Sequence, residues 1–103
     1  MKLPISSGKQ KKPKLLVRRV AGDSMRPALT PGQIIVAVSW LKPRPNKLVV
    51  VEVNGRQIVK RLSAVEGSKV YILGDNEPFS TDSRKFGWIS KKDLLATVIW
   101  PIK

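Results

Sequence analysis

The stretch "LVVVEVNGRQIVKRL" (48–62) constrains the fold more than any other part of this chain. Two runs rich in β-branched residues flank Asn54-Gly55. That dipeptide accepts positive φ at both positions, so it predicts a two-residue hairpin turn. Other short β-rich runs carry similar punctuation: "KLLVRRV" (14–20), "QIIVAVSW" (33–40) after Pro31-Gly32, "KVYIL" (69–73) and "ATVIWPI" (96–102). The proline-rich "KPRPNK" (42–47) reads as a loop, and "GDNEPFSTDSRKFG" (74–87) as a long polar one. One helical turn is expected in "SKKDLL" (90–95), with Ser90 as cap and Asp93 three residues on. Many short strands and little helix predict a mainly β domain of barrel or sandwich type. With 103 residues there is room for one such domain.

Residues 1–13 read differently. They hold two prolines, two adjacent serines and four lysines, and are expected to form a basic, mobile arm ahead of a folded domain over 14–103. The whole chain carries a net charge of +13. Lys2, Lys9, Lys11, Lys12, Lys14, Arg18 and Arg19 all precede the first acidic residue. Such a surface attracts anions, which leaves three readings: a solvated tail, weak contact with an anionic membrane surface, or nucleic acid. The nucleic-acid reading would use Trp40 and Tyr71 as stacking groups. It is disfavoured, because no strand clusters aromatics into a stacking platform. No apolar run approaches the roughly 18 residues that span a bilayer, and the basic N-terminus lacks a signal-peptide core.

The chain has no cysteine and no histidine. Disulfides, thiol catalysis and sulfur- or imidazole-ligated metals are excluded together. A metal site would need oxygen ligands alone, and the seven acidic residues are scattered, so no metal is expected; no cofactor is expected either. The lack of cysteine fits a cytoplasmic protein. A serine nucleophile here needs a base other than histidine, and a neutral lysine can serve if burial penalises its charged form. In "QIVKRLS" strand alternation puts Ile58, Lys60 and Leu62 on one face, so Lys60 is flanked by two large apolar residues. Two readings stay open for it: a buried amine, or an edge lysine that snorkels into water. Ser24, in "AGDSMRPALTPG" (21–32), is either a nucleophile or, with Asp23, a cap for backbone NH groups. The Asp and Ser side chains of 74–87 could merely satisfy their own loop.

Taken together, "GDSMRPALTPG", "VVVEV…QIVKRL" and "GDNEPFSTDSRKFGWI", in that order, resemble the three boxes of the type I signal peptidase family. The resemblance runs over residues 16–102, including the closing "ATVIWPI". It implies a minimal signal peptidase or self-cleaving-repressor-like β-barrel catalytic domain. It also implies that Ser24 is the nucleophile and Lys60 the general base. Ser80 would orient the Lys60 amine, and the Ser24 backbone NH would donate to the oxyanion. Met25, Gly74, Asp75, Asn76, Asp82 and Arg84 would shape the site, the last two as a bracing pair. Gly22 stands where some members supply a second oxyanion donor from a serine side chain.

The sequence departs from the family pattern in three places. No hydrophobic anchor is visible. Ser24 and Lys60 lie only 36 positions apart, which leaves no room for the large inserted domain of many members. Glu77 stands where many members have arginine. These features, with "STDSRKFGWI" and the late Trp-Pro, resemble the small prokaryotic proteases that mature nickel-type superoxide dismutase in the cytoplasm. The implied partner is a protein with an extended N-terminal leader. The alternative within the family is a catalytic domain cut from a membrane-anchored signal peptidase.

Overall fold

The computed structural model describes residues 14–103. The expected basic arm, 1–13, lies outside the described residues. Seven strands form one sheet: β1 (Leu15–Arg19), β2 (Ile34–Val38), β3 (Leu48–Val53), β4 (Arg56–Glu66), β5 (Lys69–Leu73), β6 (Ile89–Ser90) and β7 (Leu94–Trp100). Their order is β1-β2-β7-β3-β4-β5-β6, and every neighbouring pair is antiparallel. The mainly β expectation holds. β7, the last strand in sequence, inserts between β2 and β3, so the centre of the sheet closes only through long-range pairing.

The sheet curls into a half-barrel with apolar packing on both faces. β3 shows why. In "LVVV" (48–51) every residue is buried, with Leu48 and Val50 in one core and Val49 and Val51 in the other. A continuous apolar run is what a strand covered on both sides requires. Register shifts at Val36/Ala37, Val50/Val51 and Leu62/Ala64 bend the strands that carry them.

The hairpin turn forms as the sequence predicts. Val53 faces Arg56 in register, and Asn54 and Gly55 take φ of 52° and 78°. β4 then runs to Glu66, four residues past the expected Leu62. It changes partner on the way: Arg56–Arg61 pair with β3, and Arg61–Glu66 pair with β5. The segment Arg56–Lys60 therefore has β3 on one side and, among the described residues, no strand on the other. "SAVE" (63–66) carries little strand signal of its own; pairing with β5 makes it extended.

The other boundaries differ modestly from expectation. The polar loop 74–87 contains a 3-10 turn, Glu77–Phe79, with a proline in its first positions, and a one-turn helix α1 (Ser83–Phe86). α1 starts where the Asp82 side chain accepts from the Arg84 amide and ends at Gly87, φ 82°. The turn in "SKKDLL" is a 3-10 turn over Lys91–Asp93, capped by Ser90 through the Lys92 amide at 3.1 Å. It is shorter than expected because Leu94 already begins β7 and pairs with Val51 of β3. The two-residue β6, against Lys69 and Val70, has no independent sequence signal.

Candidate active site

Ser24 sits in the connection between β1 and β2. Backbone bonds from Val20 to Gln33 and from Gly32 to Val20, each 2.8 Å, close the neck of that connection. Met25 and Leu29 plug it into the first core, 1% and 0% exposed. Burying these two side chains on either side of Pro27 fixes the backbone, and Ser24 is left half-buried at the surface. Neither Asp23 nor Ser24 caps a backbone NH through its side chain among the described residues, so the capping alternative does not hold. Asp23 instead pairs with the Arg26 guanidinium. No described residue accepts from the Ser24 amide or bonds its hydroxyl.

Lys60 lies on the second-core face of β4. It stands opposite Val49 in register, between half-buried Ile58 and fully buried Leu62, and is 4% exposed. The snorkelling alternative is thereby excluded. Its Nζ donates to Ser80 Oγ at 3.0 Å. Burial pushes the Lys60 amine below its ordinary pKa; the nearby Asp82 carboxylate opposes that shift and Arg84 assists it.

Asp82 anchors the group. It is fully buried and accepts five hydrogen bonds. Oδ2 takes Gly74 N (2.7 Å), Ser80 Oγ (2.6 Å) and Arg84 Nη2 (2.6 Å); Oδ1 takes Arg84 N (3.1 Å) and Nε (3.0 Å). Burial alone raises its pKa, but the bonds from Arg84, Gly74 and Ser80 overcome this and hold the carboxyl well below the usual range. A carboxylate can only accept, so the Ser80 proton points at Asp82. The Ser80 lone pairs then face Lys60, and Lys60 must donate an N–H to them. A neutral amine has one lone pair left after that, available to another proton.

Two further ties join the 74–87 segment to the site. Asn76 donates through its backbone NH to the Ser24 carbonyl (2.8 Å) and through Nδ2 to the Asp23 carbonyl (2.9 Å). Arg61 holds Asp75 with two bonds, 2.8 and 2.7 Å, and the Asn46 carbonyl with a third, 2.8 Å. Gly74 is needed for closeness: a Cβ there would overlap the Ser80 side chain and lie 2.9 Å from the Ser24 carbonyl. Glu77 pairs with Arg84 at 3.2 Å. Ser83, whose Oγ accepts from Ile72 N at 2.9 Å, and Arg61 were not anticipated from sequence. Arg61 follows Lys60 directly, but nothing local assigns it to Asp75.

Ser24 and Lys60 both line two adjoining lobes of one cleft. One lobe, about 230 Å³, is bounded by Arg18, Arg19, Ile35 and Gln57. The other, about 390 Å³, is bounded by Gly22, Asn54, Phe79 and Phe86. Met25 lines neither; it lies in the core beneath. A separate groove of about 400 Å³ beside β7, lined by Leu41, Arg44 and Ile102, contains none of these groups. Tyr71 packs against Trp88 with ring centroids 5.1 Å apart and planes inclined at 58°, while Trp40 stands apart, 66% exposed. Among the described residues no cluster of acidic side chains is placed to hold a metal ion, and no helix is long and apolar enough to cross a membrane.

A curled antiparallel sheet thus brings a serine and a buried lysine to one cleft. The model of the Peptidase S24-like family matches residues 1–97, and the chain belongs to that family. No curated protein matches the chain. Membership supports a serine peptidase or self-cleaving-repressor type of function. The signal peptidase resemblance is thus upheld at the level of a signal-peptidase-like or S24-like fold and family.

Proposed function

We propose that this chain is a serine endopeptidase working through a Ser24–Lys60 dyad. The single observation that carries the reading is a buried amine with lowered pKa, oriented by Ser80, in the same cleft as a serine hydroxyl that no described residue engages. Neutral Lys60 takes the Ser24 proton as Oγ attacks a peptide carbonyl. The tetrahedral oxyanion accepts from the Ser24 amide, with the Gly22 region leaving space for the carbonyl oxygen. The lysinium gives its proton to the leaving amine, and the C–N bond breaks. Water then attacks the acyl-enzyme, losing a proton to Lys60. Collapse releases the new carboxyl group and returns the proton to Ser24.

The substrate is read as an extended segment. Arg56–Lys60 of β4 present to the cleft an edge that no described strand pairs with, and β1 is the outermost described strand on the facing side. An extended peptide entering between them would gain main-chain hydrogen bonds from either edge. The favoured substrate is the N-terminal signal or propeptide of another protein, with the propeptide of nickel superoxide dismutase as a candidate. The test is cleavage of leader peptides by wild type, Ser24→Ala and Lys60→Ala. Wild type should cut at one site and both variants should be inactive. Normal cutting by either variant would remove the dyad.

A further inference from the structure

Resting on that peptidase reading, a second question is which side chains the cleft selects. The lobe between β1 and β4 is asymmetric in charge. Arg18, Arg19 and Arg56 line it, and no carboxylate does. Arg19 is tied by Nη1 to the Gly32 carbonyl (2.9 Å), which aims one guanidinium along the neck of the Ser24 connection. Arg56 is exposed, and its guanidinium makes no hydrogen bond or ion pair with any described residue. Glu52 faces Gln57 across the β3–β4 pair but forms no ion pair with these arginines.

Arg18 is the informative one. Its Nε donates to Gln57 Oε1 at 2.8 Å, from the edge of β1 to the edge of β4 that no described strand covers. This bond crosses the path an extended peptide would take. A guanidinium bonded to a neutral amide keeps its charge unneutralised. A carboxylate in the place of that amide would form a charge-assisted bond, roughly twice as strong and capable of bidentate geometry. Two further guanidiniums lining the same lobe would act within a Debye length of about 10 Å.

We propose that this lobe selects peptide segments bearing an acidic side chain, whose carboxylate displaces the Gln57 amide from Arg18 and is flanked by Arg19 and Arg56. The chain's own first 13 residues are a poor occupant. They carry Lys2, Lys9, Lys11 and Lys12 and no acidic residue. Charge therefore disfavours cleavage of the chain's own arm and favours a separate, acidic-tagged substrate.

The test uses a proteome-derived peptide library with the full chain. Immobilised Ser24→Ala captures peptides, free wild type cleaves them, and mass spectrometry identifies both sets. Asp or Glu should be enriched at a fixed offset from the cut. In the best peptide, changing that acid to its amide should lower kcat/KM at least tenfold. Arg18→Glu or Arg56→Glu should reverse the preference, so that a lysine at that offset becomes the better substrate. Lys69→Glu and Lys92→Glu, at the far β5–β6 corner, change net charge equally and should leave the preference intact. Cleavage without acidic enrichment, or an equal loss of preference in the corner variants, overturns the proposal. Acidic capture that depends on Arg18 and Arg56, without cleavage by wild type, overturns the peptidase reading and upholds the acid selection. Neither capture nor cleavage overturns both.

Discussion

Asp82→Asn removes one charge from a site built around it, and its cost can be worked from the bonds. The carboxylate accepts five donors, three on Oδ2 and two on Oδ1. An amide in its place keeps one acceptor oxygen. Its least harmful orientation keeps that oxygen toward Gly74 N, Ser80 Oγ and Arg84 Nη2, and sets the NH₂ group against Arg84 N and Nε. Two donors then face a donor, and the guanidinium loses its buried counter-charge. Arg84 is 30% exposed and keeps Glu77 at 3.2 Å, so the loss is that of charge-assisted hydrogen bonds, about 1.5–3 kcal/mol, rather than that of a fully buried pair. For a domain of about 100 residues this lowers Tm by roughly 6–24 °C.

The pH dependence gives this prediction a sign. Asp82 has a folded pKa depressed below the unfolded carboxylate value of about 3.9. Its contribution is fully present above the unfolded value and disappears as pH falls through the folded one. Urea unfolding of wild type and Asp82→Asn should therefore show a constant gap from about pH 5 to 7. The gap should narrow as pH drops below about 4. A gap under about 1 kcal/mol at pH 7, or one that persists unchanged at pH 2, would refute the reasoning.

Four other outcomes follow from the same geometry. Lys60→Met should abolish cleavage and leave stability unchanged or raised. The folded amine has a lowered pKa, so the unfolded chain binds more protons between that value and 10.5; stability therefore rises with pH across that window, and below it the burial penalty is complete. Urea midpoints measured across that range check the sign. The same lowered pKa predicts that kcat/KM rises with pH to a plateau, with its inflection below 10.5, because only the free amine is a base. Ser80→Ala should lower the plateau by roughly 10- to 100-fold, since Lys60 loses the acceptor that orients its lone pair; a flat or falling profile counts against lysine as the base. Gly74→Ala should cut kcat/KM at least tenfold, because the new methyl overlaps the Ser80 side chain; a crystal structure of the variant should show Ser80 moved away from Lys60.

The sequence by itself determined the local choices. Alternation in "QIVKRL" puts Lys60 between Ile58 and Leu62, and Asn54-Gly55 sets the register of β3 against β4. The absence of histidine and cysteine narrows any serine chemistry to a lysine or carboxylate base before any contact is known. The β-branched run "LVVV" marks β3 as a strand; that it is covered on both sides emerges only from the structure.

What only the tertiary structure decided is long-range. β4 pairs first with β3 and then with β5, and this switch leaves one edge of Arg56–Lys60 without a partner among the described strands. No local pattern encodes where a strand changes partner, because the choice depends on which other strand reaches it. Two Asn76 bonds bring the 74–87 segment against Ser24, from 52 positions away in the chain. Arg61 finds Asp75, and Arg18 finds Gln57, for the same reason. Burial lowers the Lys60 pKa only once both cores have closed around β4. A charge is penalised by the medium that surrounds it, and a one-dimensional sequence contains the residues of that medium but not their arrangement.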